Sequence, residues 1–250
     1  CSFGSTRRKN ISCNDDENLQ SLLLAETEYV VIFGKSWDFQ VTEILKTTLD
    51  ENIKMIGESV SYMVAHNRKV IYDAEHFFTA YKENKDYALR TINAAVENGA
   101  CVICLCETKG GSMPSECQQA VKEVLHIYEH EVKKGSIEIG IHTHDDCGLA
   151  VANSILAVQE GVTHVQGVLL GFGERTGNAN LSTIIPNLQL KMGYDCIPKK
   201  NIKNLTSICN RVSEISNIRL NKQTPYVGKS AFAHKAGMHI DAVLKNPLAY

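Results

Sequence analysis

Short apolar runs alternate along this chain with longer amphipathic segments, and that rhythm limits the possible folds more than any other feature. The runs occupy 29–33, 69–73, 101–106, 137–141 and 164–170, with a sixth, clipped one at 1–4. Between them lie segments 41–67, 77–98, 114–133, 147–160 and 181–191. In 41–67 the residues Ile44, Leu45, Leu49, Ile53, Ile56, Val60 and Met63 recur at helical spacing. Pro114 follows two glycines and suits a first helical position. Strand–helix alternation predicts parallel strands joined by crossover helices. Six strands are too few for a closed eight-stranded barrel, and an open doubly wound sheet also fits the pattern. From 193 to 250 the chain is richer in Lys and Asn and has no clear strand. That stretch reads as a linker with small helices, such as 202–215.

Composition removes several classes of function. Lys and Arg number 26 against 28 Asp and Glu, a formal net charge of −2, which lacks the electrostatic footprint of a nucleic-acid binder. No apolar run approaches the roughly 20 residues needed to cross a bilayer. The nine cysteines are an odd number, and Cys101, Cys104 and Cys106 crowd one apolar run. That is unlike a secreted disulfide framework and predicts reduced thiols in a cytoplasmic protein. Residues 5–12 are polar and basic with no apolar stretch after them, unlike a signal peptide. A chain opening on Cys1 inside an apparent strand is expected to be a fragment.

Polar clusters fall where the runs end, which is the functional face of parallel α/β folds. Residues 139–146 read I-G-I-H-T-H-D-D. Strand alternation points His142 and His144 the same way, so the two imidazoles can share a divalent metal or form a structural pair. Two ligands fall short of the three usual for a catalytic zinc, so another must come from elsewhere. Residues 171–181 read G-F-G-E-R-T-G-N-A-N-L, where Asn178 can offer a carboxamide oxygen and Glu174 and Arg175 can form an ion pair. Residues 70–78 read V-I-Y-D-A-E-H-F-F, with Ile71, Asp73 and Glu75 on one face. Two inward carboxylates suit acid–base or metal work, and a helix cap or salt bridge is the alternative for Glu75.

Residues 101–111 read C-V-I-C-L-C-E-T-K-G-G. The cysteines are expected in the core rather than on a metal, because free Cys is among the most buried residue types. Thr108 stands at the strand end, ready to donate to a substrate carboxylate. The loops G-S-T-R-R-K at 4–9 and G-K-S-W-D at 34–38 suit either anion binding, to a carboxylate or CoA phosphates, or plain solvation. In the tail, A-F-A-H-K-A-G-M-H-I-D at 231–241 holds two histidines and a lysine, and a surface helix is the bland alternative.

Taken in order, F-G-S-T-R-R-K, I-F-G-K-S-W-D, Y-D-A-E-H-F-F, H-T-H-x-D-x-G-L-A-V-A-N-S, G-x-G-E-R-x-G-N-A-N-L, I-P-N-L-Q-L-K-M-G-Y and Y-V-G-K-S-A-F-A-H-K-A-G-M-H resemble the citramalate synthase branch of the 2-isopropylmalate/homocitrate synthase family. These are metal-dependent TIM-barrel acyltransferases. The resemblance implies an incomplete (β/α)8 barrel, strands three to eight, over 1–192, followed by part of a helical linker subdomain over 193–250. It implies a Claisen-type condensation of acetyl-CoA with pyruvate and thioester hydrolysis to citramalate and CoA, in isoleucine biosynthesis.

By the same resemblance His142 and His144 match metal ligands, and Asn178 matches an asparagine at or near the metal, which is Mg, Mn or Zn. Glu75 matches the active-site glutamate and Thr108 the threonine that binds the keto-acid carboxylate. His239 matches a linker histidine doing acid–base work, supplied in related enzymes by the neighbouring subunit, so a homodimer is implied. The family's first-strand D-x-x-x-R-D-G segment is not in this sequence, so the fragment alone is expected to be inactive. Asp145, Glu107, Lys109, Val168 and Leu170 depart from the family's usual Asn, Asp, Asn, Thr and Asn. Three alternatives are a 2-isopropylmalate or homocitrate synthase with a larger 2-keto acid, a catalytically silent paralogue, and a carbon–carbon lyase of the same barrel superfamily.

Overall fold

The structure is a computed structural model, and it describes residues 1–249. The chain divides into two compact units, one formed by 1–167 and 173–179, the other by 168–172 and 180–250.

In the first unit six strands, β1 (Ser2–Ser5), β2 (Tyr29–Lys35), β3 (Lys69–Glu75), β4 (Val102–Glu107), β5 (Glu138–Thr143) and β6 (His164–Gln166), form one parallel sheet. Their spatial order follows the chain, β1 to β6, with no reversal. A doubly wound sheet reverses direction at a switch point, so that alternative is excluded, and six consecutive strands of an incomplete (β/α)8 barrel remain. The connecting helices are α1 (Glu17–Leu24), α2 (Leu49–Ala65), α3 (Phe77–Glu83), α4 (Lys85–Glu97), α5 (Pro114–Ile127), α6 (Glu129–Lys134) and α7 (Ala150–Glu160).

Strand alternation sorts the core into two layers. Val30, Ile32, Val70, Tyr72, Ile103, Leu105, Ile139 and Ile141 pack on one face with helix residues such as Ile56, Val60, Ile92 and Val121. The opposite face carries Val31, Ile71, Val102, Cys104 and Cys106. All six residues of β4 are buried, as expected for a strand covered on both sides.

Three expected segments differ in detail. Segment 41–67 is broken: a π-helical turn spans Gln40–Ile44, Lys46 adopts a left-handed φ of 52°, and Thr48 caps α2 by accepting from Glu51 N–H. Segment 77–98 is split by Asn84, whose side chain accepts from Tyr87 N–H and starts α4. The last strand stops at Gln166 instead of 170. Leu169–Gly171 forms a 3-10 turn with Leu170 left-handed, because Leu169 and Leu170 pack with Leu205, Cys209 and Val227.

The second unit contains α8 (Leu181–Pro186), α9 (Leu205–Ser216) and α10 (Gly237–Lys245). It is held by that Leu205–Cys209–Val227 cluster and by Tyr226 Oη, which donates to Asn187. Among the described residues no helix is long and apolar enough to cross a membrane.

Candidate active site at the strand ends

Strand parity and register bring the first group together. Cys106, His142 and Gln166 are register partners across β4, β5 and β6, so His142 and Gln166 project from the same face. The His142 and His144 rings lie 5.2 Å apart. His142 Nε2 is 3.0 Å from Asn178 Oδ1, and an antiparallel bridge pairs His144 with Asn178. Gly173, at φ 157°, makes room for that asparagine: a Cβ there would stand 2.0 Å from Asn178 Nδ2. The structure therefore gathers three of the expected residues, His142, His144 and Asn178.

Gln166 was not singled out in the sequence, and it organises the group. Its Oε1 is 2.8 Å from His142 Nδ1, while its Nε2 donates to Asp73 Oδ1 at 2.8 Å. A ring proton on Nδ1 donated to Gln166 leaves the Nε2 lone pair facing a second acceptor, Asn178 Oδ1. A second ring proton or a cation beside both atoms reconciles them. Their 3.0 Å separation is the spacing of adjacent ligands on an octahedral cation bound at about 2.1 Å. Burial, with His142 and Arg175 as neighbours, lowers the His144 pKa, which favours the neutral ring. Its Nδ1 is buried with no hydrogen-bond partner. A hydrogen-bonded imidazole, a neutral imidazole and a carboxamide oxygen make a donor set that fits a divalent metal.

The second group hangs on His76. Glu75 ends β3, and its Oε2 lies 2.6 Å from Lys35 Nζ at the end of β2, its register partner. His76 follows in the left-handed region at φ 60°, with Nε2 4.0 Å from Glu75 Oε1. The His76 backbone N–H donates to Thr108 Oγ1 at 2.8 Å, which leaves the threonine's own proton available for donation. Glu75 and Thr108 are thus joined through His76, which no motif singles out beyond its place after Glu75. Strained backbone of this kind, a non-glycine residue with positive φ, clusters at functional sites.

Arg175 closes this edge. It binds Asp146 through two nitrogens at 2.7 and 2.8 Å and donates to the Thr108 carbonyl at 2.9 Å. The expected pair with Glu174 is the weaker contact, at 3.7 Å. Gly110 is required here, because at φ 65° a Cβ would meet Asp146 Oδ2 at 2.3 Å.

The departing residues have local roles. Asp145 Oδ1 accepts from Ala150 N–H and so fixes the start of α7. Glu107 is buried and accepts from Ser112 Oγ, and burial raises its pKa. Lys109 places its ammonium 4.0 Å from the centre of the Trp37 ring. Cys104 and Cys106 are buried core residues as expected, and burial raises the Cys104 thiol well above its ordinary range. They also sit with Asp73 so that one ligand atom from each lies within 4.8 Å of the others. Burial pushes the Asp73 carboxyl up to about 6, against the pull of the Gln166 hydrogen bond. His239 belongs to the second unit, on α10, with its ring 6.0 Å from that of His234.

Residues 9–212 match the family described as HMGL-like, and residues 226–250 match the one described as homocitrate synthase post-HMGL domain-like. An (R)-citramalate synthase of Aquifex aeolicus is 51% identical over 99% of this chain and 46% of its own length. One from Synechocystis is 47% identical, with the same two coverages. A 2-isopropylmalate synthase of Sulfurisphaera tokodaii is 33% identical over 88% of this chain and 54% of its own. The chain thus spans about half the length of the curated relatives it matches. Among solved structures, the HMG-CoA lyase of Bacillus subtilis superposes with a TM-score of 0.70 at 18% identity, over 87% of this chain and 71% of that one.

Proposed function

The chain belongs to the HMGL-like family, and from that premise we propose that it carries the catalytic barrel of a citramalate-forming acyltransferase. The reaction condenses acetyl-CoA with pyruvate and hydrolyses the thioester, within isoleucine biosynthesis in the cytoplasm. The observation that carries the reading is a step in similarity: (R)-citramalate synthases stand at 41–51% identity, whereas 2-isopropylmalate and homocitrate synthases stand at 32–33%.

In this reading 1–192 is the partial barrel and 193–250 part of a linker subdomain. His142, His144 and Asn178 hold the divalent metal. A divalent metal held by these residues would supply Lewis acidity to the keto oxygen of the 2-keto acid. Gln166 fixes the His142 tautomer from behind. The Thr108 hydroxyl orients the keto-acid carboxylate, held in place by the His76 N–H. Glu75, positioned by Lys35, and His239 move protons as the acetyl methyl group is enolised. A homodimer supplies His239 from the neighbouring subunit. A second reading, a larger 2-keto acid, is favoured by the homocitrate synthase-type match over 226–250.

One assay separates these. Full-length protein with Mg, Mn or Zn is given acetyl-CoA plus pyruvate, 2-ketoisovalerate or 2-ketoglutarate, and free CoA thiol is followed. Release with pyruvate alone is expected. Release with a larger keto acid instead moves the substrate assignment, and no release with any of them supports a silent paralogue.

A further inference from the structure

Among the described residues one set of three side chains with metal-ligating atoms, Asp73, Cys104 and Cys106, brings an atom from each within 4.8 Å of the others. Strand geometry accounts for the meeting. Cys104 and Cys106 are two residues apart on β4, so both point to the same face. Asp73 is the register partner of Cys104 on β3 and points the same way. Cys101 falls outside the set, so the C-x-x-C-x-C pattern is not the site, and the third ligand comes from the neighbouring strand.

The set is buried. Cys104 is fully enclosed, and Asp73 and Cys106 are 4% and 6% exposed. Val31, Ile71 and Val102 pack on the same face as the two thiols. A carboxylate in such company is costly unless it is paired. Asp73 accepts from Gln166 Nε2 at 2.8 Å and from the Cys104 thiol, and no lysine or arginine pairs with it among the described residues. The thiol proton stands where a cation would stand, because a thiol that coordinates a metal gives up its proton.

The donor set selects the occupant. Two thiolates favour a soft d10 cation over magnesium or manganese. Around a tetrahedral ion with metal–sulfur bonds of about 2.3 Å, neighbouring ligands stand about 3.8 Å apart, so small side-chain rotations close the set. Three protein ligands leave a fourth position open. Cys106 is the next-to-last residue of β4 and Asp73 lies two residues from the end of β3, so the cation enters from the strand-end side.

We propose that Asp73, Cys104 and Cys106 form a cation site separate from the His142, His144 and Asn178 group, for a soft divalent ion of the zinc and cadmium class. Binding forms two metal–sulfur bonds and one metal–oxygen bond and releases the two thiol protons, with no electron transferred. The two groups are linked. A cation on Asp73 competes with Gln166, the side chain that meets His142 Nδ1. Filling the thiolate site therefore loosens the support of His142.

The test uses full-length protein with its thiols reduced, and cadmium as the probe, because thiolate-to-cadmium charge transfer absorbs in the ultraviolet. Cadmium on imidazole and carboxamide ligands lacks that band, so the two groups are told apart. The parent protein is expected to bind one equivalent tightly with the absorbance of two thiolates. Cys104→Ala and Cys106→Ala are each expected to halve that absorbance and weaken the step by about 100-fold or more, beyond the loss caused by removing a ligand's supporting partner. Asp73→Asn, which keeps the shape, is expected to weaken it about tenfold with the band intact. Cys117→Ala, a buried thiol on α5 outside the set, is the control and is expected to change nothing. Circular dichroism checks each variant, and should one fail to fold the other two read the same site. A parent protein without the two-thiolate band, or equal affinity in the parent and the Asp73, Cys104 and Cys106 variants, overturns the proposal. Neither readout needs turnover, so the outcome is independent of the acyltransferase reading.

Discussion

Gln166 places its carbonyl oxygen 2.8 Å from Nδ1 of His142, across 24 residues of chain. The same amide donates to Asp73, so one side chain links three strands, β3, β5 and β6. Removing such a partner frees a ligand's ring to rotate and to change tautomer. Second-layer partners of this type are worth about 10- to 100-fold in metal affinity. Gln166→Leu is therefore expected to lower Mn or Zn affinity by about that factor with the fold intact. A titration showing unchanged affinity would mean that His142 is oriented by something else.

Gly173 supplies a separate handle on the same group. A Cβ there would overlap Asn178 and would also demand a φ of 157° from alanine. Gly173→Ala is expected to displace the carboxamide and weaken metal binding by about tenfold, by analogy with loss of a ligand's support. Gly135 is the control. Its φ is 73° but a Cβ there meets nothing within 4 Å, so Gly135→Ala is expected to lower thermal stability by about 1 kcal/mol and leave metal binding alone.

Glu75 and Lys35 stand 2.6 Å apart at neighbouring strand ends. Glu75→Gln keeps the shape and removes the proton acceptor. It is expected to reduce kcat with acetyl-CoA and pyruvate by about 100- to 10,000-fold, with the pyruvate KM little altered. A mainly structural role would show instead as lost thermal stability at near-normal kcat.

Acid sensitivity follows from the buried histidines. Burial lowers the pKa of His164 below its ordinary 6.5. The folded state then binds fewer protons than the unfolded chain between those two values. His164 thus costs no stability at higher pH, where both states are neutral. The loss begins as pH falls through 6.5 and is complete below the folded pKa. Tm is expected to drop between about pH 7.5 and about pH 5.5, and less steeply in His164→Gln. His76 and His144, also lowered by burial, leave part of the slope in that variant. Equal slopes in the two proteins would exclude His164 as a contributor.

Features that depend on short periods were legible in the chain alone. Period-two alternation put His142 with His144 on one face of their strand and Asp73 with Glu75 on one face of theirs, and apolar runs located all six strands. Helical spacing located the crossover segments but missed their interruptions at Lys46 and Asn84. There a left-handed residue and an N-cap outweigh amphipathic continuity. Tertiary structure alone decided which polar groups meet. The reach of Gln166 to His142 depends on the register of β5 against β6, and the bond from His76 to Thr108 on the turn leaving β3. The ion pairs of Arg7 with Glu51 and Glu58 depend on where α2 lays its carboxylates. Register and loop paths are set by packing between residues far apart in the chain, and no local pattern encodes them.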